Sequence, residues 1–108
     1  MAIARTSTVI WFDFKELCEG PRGQGDYIEL AKNYQFVLIS RVPQFDAYKD
    51  NEARRFIGLV DEFYDNKIKL ILSSEVSIEN LYSGKRLQFE FKRTISRLQE
   101  MQSKGYWG

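Results

Sequence analysis

Residues 36–73, FVLISRVPQFDAYKDNEARRFIGLVDEFYDNKIKLILS, hold an apolar run of strand length, a polar connection, a long stretch of helical period and a second short run. Phe36-Val37-Leu38-Ile39-Ser40 is continuous and apolar, and Pro43 bounds it. A run so short and so apolar reads as a strand buried on both faces. From 51 to 65, Ala53, Phe56, Ile57, Val60, Phe63 and Tyr64 recur at helical spacing, which predicts an amphipathic helix. Ile68 to Ser73 alternates at first and then runs apolar, a further strand. Strand, helix, strand is the unit of a parallel sheet, because the crossover helix carries the chain back to the end where it began.

The same grammar extends in both directions. Upstream, Thr8 to Phe14 is β-branched and aromatic and predicts a strand. Gly20-Pro21-Arg22-Gly23-Gln24-Gly25 predicts a loop, and Asp26, with Glu29 three residues on, predicts an N-cap. Tyr27, Leu30, Ala31 and Tyr34 then share one helical face. Downstream, Ser77 is expected to cap a short helix carrying Ile78, Leu81 and Tyr82, closed by Gly84. Leu87, Phe89 and Phe91 alternate with Gln88, Glu90 and Lys92, which predicts a half-exposed edge strand, and Ile95, Leu98 and Met101 predict a last helix. The expected fold is α/β, with a mostly parallel sheet of about four strands and helices on both faces. The expected organisation is a leader over 1–7, a single domain over 8–103 and a tail over 104–108.

Composition narrows the chemistry. The 108 residues are 44% hydrophobic and 15% aromatic, which excludes a disordered chain. Sixteen basic and fifteen acidic side chains leave a net charge of +1, so no nucleic-acid partner is expected. There is no histidine and one cysteine, Cys18. That excludes Ser-His-Asp and Cys-His nucleophile systems, an HExxH motif and a structural zinc site within these residues; a hard-cation site made of carboxylates stays open, and no metal ligand is assigned. No apolar run is long enough for a membrane helix, so the chain is not expected to be transmembrane. Its cysteine content suits a reducing compartment, and the cytoplasm is the expected location.

Ligands of parallel α/β sheets bind beyond the carboxyl ends of the strands. Gly20, Gly23 and Gly25 lie between a strand and a helix, where a phosphate loop would form. Their spacing is G-x-x-G-x-G, neither the dinucleotide pattern nor a P-loop, and a plain surface loop accounts for it more simply. Phe56 to Glu62 imitates the magnesium-holding strand of P-loop ATPases, but its helical period makes Asp61 and Glu62 solvated helix charges. Asp13 and the group Ser73, Ser74 and Glu75 fall at strand ends, where a polar side chain meets a phosphate or caps the next helix. Arg54 and Arg55, and Arg93 and Arg97, are pairs able to read phosphate through bidentate hydrogen bonds or to form ordinary salt bridges.

Phe12-x-Phe14-x-x-Leu17-Cys18-x-x-Pro21-Arg22, followed by Asp26-Tyr27-Ile28-x-Leu30-Ala31, resembles the C-terminal part of the ZapE family, AFG-type, AAA-like P-loop ATPases of bacteria and mitochondria. The likeness continues through Val37-Leu38-Ile39-Ser40-x-Val42-Pro43 and Ala53-Arg54-Arg55-Phe56-Ile57-x-Leu59-Val60-Asp61. It runs on through Leu81-Tyr82-x-Gly84 to Phe89-Glu90-Phe91-x-Arg93-Thr94-x-Ser96-Arg97-Leu98-x-Glu100-Met101-Gln102-Ser103. It implies a three-layer, P-loop-NTPase-like half without its P-loop, in a parent protein that uses ATP and magnesium and serves cell division or mitochondrial quality control. The Walker, sensor and arginine-finger segments of that family lie upstream of this region, and none occurs in these 108 residues. No catalytic residue therefore carries over, and the chain alone is expected to be inactive. Its expected role is structural and regulatory, packed on the ATPase core, with Arg93 or Arg97 as nucleotide-sensing candidates. The alternatives are a module that docks a cell-division protein and, more weakly, a small nucleotide-binding protein using the 20–25 loop.

Overall fold

The computed structural model describes residues 2–19 and 23–103. Its elements are β1 (Ala4–Arg5), β2 (Val9–Asp13), α1 (Phe14–Cys18), α2 (Gln24–Asn33), β3 (Phe36–Val42), α3 (Asp50–Asp65), β4 (Lys69–Ser74) and α4 (Gln88–Met101). Short 3-10 turns at Ala47–Lys49 and Ile78–Asn80 serve the connections into α3 and out of β4. The strands lie in the order β1-β2-β3-β4. β2, β3 and β4 are parallel, with Ile10 opposite Val37 and Val37 opposite Leu70, while β1 runs antiparallel to β2. The α/β class and the mostly parallel four-stranded sheet are as the sequence predicts.

The pleat decides what the helices bury. Ile10, Phe12, Val37, Ile39 and Leu70 point to one face and are buried. Both parallel crossovers advance one strand in the same direction, and right-handed crossovers of that kind stack their helices on one face. α1 packs on β2 and β3, and α2 and α4 flank α3. Helices were expected on both faces. Among the described residues they cover one, and Trp11 and Ile71 on the other remain 39% and 44% exposed.

An aromatic cluster ties the helical layer together. Phe45 packs edge-on to Phe14 with ring centroids 5.4 Å apart, and Phe91 stacks on Tyr82 at 5.1 Å. The Tyr82 hydroxyl donates to Asp50 Oδ1 and accepts the Leu87 N–H, both at 2.9 Å, so one ring joins the start of α3 to the start of α4. Gly84 makes this fit: a Cβ there would stand 2.6 Å from the Tyr82 hydroxyl oxygen.

Three local expectations are corrected. Leu87, Phe89 and Phe91 do not form an edge strand; Gln88–Met101 is one helix. Its buried positions, Phe91, Thr94, Leu98 and Met101, keep helical spacing, and the alternation before them was a coincidence of three residues: Phe89 is 83% exposed. The fourth strand is instead Ala4–Arg5, within the expected leader. Asp26 is not the N-cap of α2; Gly23 holds that place, and Asp26 accepts its N–H at 2.9 Å from the first turn. The strand predicted to reach Phe14 stops at Asp13, whose carboxylate accepts the Lys15 N–H and starts α1. Gly20 and the tail over 104–108 lie outside the described residues.

Candidate functional site

The carboxyl ends of β2, β3 and β4 bring together Asp13, Ser40, Arg41, Ser73, Ser74 and Glu75. At Arg41 the ladder between β3 and β4 is irregular, and the residue has φ 60°. A left-handed conformation at a residue with a Cβ costs about 1–2 kcal/mol, so the surroundings must hold it. They do so twice: the Arg41 N–H donates to Ser73 Oγ at 3.0 Å, and its Nε donates to Asp13 Oδ2 at 2.6 Å. Burial works to raise the Asp13 pKa. The Lys15 N–H and the Arg41 guanidinium outweigh it and hold the carboxyl below its ordinary value. A shallow cleft of about 350 Å³ opens beside Arg41, Ser73, Ser74 and Glu75. Sequence reasoning found Asp13 and the serines by their place at strand ends and missed Arg41, because nothing in an arginine codon signals a positive φ.

Arg93 and Arg97 sit in the second and third turns of α4 and fork onto Asp61 of α3. Arg97 donates to Asp61 Oδ1, and its guanidinium lies 5.0 Å from the Tyr64 ring centroid. Arg93 stands 3.6 Å from the other carboxylate oxygen, with its side chain 57% exposed. Tyr64 donates in turn to Glu100, a bond that raises the phenol's pKa. Asp61 is thus the shared counter-ion of the fork and not a solvated helix charge. Its carboxylate lies on a helix, as does Glu62, so neither forms the strand-end pair of a magnesium site. Arg55 donates to the Cys18 carbonyl at 2.9 Å, closing the end of α1. Burial, partly offset by the Tyr27 hydroxyl, pushes the Cys18 thiol up to about 12.

Gly23 and Gly25 are not laid out as a phosphate cradle. Among the described residues no group of three or more His, Cys, Asp or Glu could hold a metal ion. Gly25 lies inside α2, and the Asp26 carboxylate already occupies the Gly23 amide, so an anion arriving there meets a negative charge. No helix among them is long and apolar enough to cross a membrane.

Comparison with known proteins supplies the context. The family model for AFG1-like ATPases matches residues 1–108. The chain is 50% identical over 93 residues to "Cell division protein ZapE" of Escherichia coli (strain K12), covering 86% of this chain and 25% of that protein. It is 31% identical to "Lactation elevated protein 1 homolog B" of Danio rerio, covering 99% of this chain and 28% of that protein. No solved structure matches it. The chain thus spans about a quarter of the length of these curated relatives. A family match along every residue, on the α/β scaffold described above, places this chain in the AFG1-like ATPase family.

Proposed function

We propose that these 108 residues are a structural and regulatory part of a cell-division ATPase, packed on a nucleotide-binding core formed by other residues of the protein. The observation that carries this reading is the family match over the whole of a sequence in which no G-x-x-x-x-G-K-[ST] loop occurs. The division role follows the printed name of the bacterial relative. In this reading ATP and magnesium serve the whole ATPase, in the cytoplasm, and are bound outside these residues.

The two arginines of α4 divide the work. Arg97 is committed to Asp61 and Tyr64 and holds α4 against α3. Arg93 is the one whose head reaches solvent, and it is the residue offered to a nucleotide or a neighbouring subunit. Replacing Arg93 by Ala in the full-length ATPase should leave its melting temperature within a degree or two. It should lower the hydrolysis rate about tenfold, the worth of one charge-assisted hydrogen bond. Arg97→Ala should instead cost about 1 kcal/mol of stability, a few degrees of melting temperature. An unchanged rate in Arg93→Ala removes the sensing role. Steady phosphate release by the pure 108-residue chain would overturn the wider reading.

A further inference from the structure

One face of the sheet carries apolar side chains that no described helix covers, and two of them, Trp11 and Ile71, stay exposed. Trp11 of β2 is in register with Leu38 of β3, and Leu38 with Ile71 of β4, so the three form a row across the parallel strands. Val9 and Phe36 stand one step along the same face. Trp11 and Ile71 are 39% and 44% exposed, and Val9, Phe36 and Leu38 are half-buried. A shallow groove of about 170 Å³ follows Trp11, Leu38, Ser40, Ile71 and Ser73.

We propose that this face is the seat of the rest of the ATPase polypeptide, which lays an apolar layer across β2, β3 and β4. The proposal rests on the reading above, that the chain is one part of a longer ATPase. Three observations favour that occupant. Parallel strands with apolar residues on both sides belong to sheets covered on both sides, and here the described helices take only one. The indole N–H of Trp11 already donates to Ser40 Oγ at 3.1 Å, so covering the ring leaves no donor stranded. The relatives are about four times longer than their matched share, which puts a tethered partner at high effective concentration beside the face. Charge argues the same way: Lys69, beside Phe36, is the one cation projecting from the rows just described, too little for a polyanion.

The test is hydroxyl-radical footprinting of the full-length ATPase, read by mass spectrometry at Trp11 and Ile71. Close packing excludes solvent, so Trp11 should react about tenfold more slowly there than in the 108-residue chain. Ile71→Lys in the full-length protein should restore much of the Trp11 reactivity and lower the melting temperature. The same substitution in the 108-residue chain should leave its melting temperature nearly unchanged, since Ile71 is exposed there. Equal Trp11 reactivity in the two proteins overturns the proposal. So does protection already present in the 108-residue chain that disappears on dilution, which would mean a second copy covers the face. Protection that appears only on adding a separate division protein overturns it as well. Hydrolysis rates play no part in this readout, so a failed Arg93 test and a failed docking test are told apart.

Discussion

Asp13 has two duties at one carboxylate: it caps α1 through the Lys15 N–H and holds the guanidinium of a left-handed Arg41. Its pKa is lowered on folding, so the stability it supplies is full above the ordinary carboxyl value of 3.8 and is lost as pH falls through the folded pKa. Asp13→Asn keeps a capping oxygen but removes the charge. Its thermal midpoint should therefore change less than that of the parent between pH 5 and pH 3, measured by circular dichroism. Asp13→Ala should lose cap and charge pair together, about 1–2 kcal/mol near neutral pH. A parent and an Asp13→Asn variant with parallel pH profiles would remove Asp13 from the acid response. The pairing was not legible from the sequence, since Asp13 and Arg41 meet only when β2 and β3 align. The position of Asp13 at a strand end was legible, because the apolar run before it is unbroken.

At the scale of elements, α4 offers the sharpest contrast, since two phenylalanines two residues apart have opposite surroundings. Phe91 is buried against Phe45, Phe56 and Tyr82, whereas Phe89 is 83% exposed. Phe91→Ala should cost about 3–5 kcal/mol in urea unfolding, and Phe89→Ala well under 1 kcal/mol. Similar losses for both would restore the strand reading of 87–91. α3 and the runs of β3 and β4 were legible because each is long or apolar enough for one period to dominate. The segment 87–91 was not, since five residues satisfy either period and the deciding contacts come from an aromatic cluster distant in sequence. Nor could β1 be read: two exposed residues, Ala4 and Arg5, take their place from the ladder to Trp11 and Ile10. The candidate site divides along the same line. Ser73 and Ser74 were visible as the end of a run, while the Asp61 fork depends on how α4 lies along α3.

The whole molecule is built from pairings that span a helix. Ile10 meets Val37 only after α1 and α2 have been traversed, and Val37 meets Leu70 only after α3. The single antiparallel pairing among the described residues, β1 with β2, is two residues long and supplies little with which to start. Closing such loops costs chain entropy before any ladder bond repays it, and the short β1–β2 hairpin is too small a foothold to offset that cost. Stopped-flow refolding of the 108-residue chain should accordingly run in milliseconds to seconds, as for mixed and non-local topologies, and not in microseconds. The order in which the elements are strung thus sets a clock. While β4 is still unpaired, a growing chain presents the open hydrogen-bonding edge of the apolar strand β3 to whatever surrounds it, and newly made protein is at its most aggregation-prone in that interval.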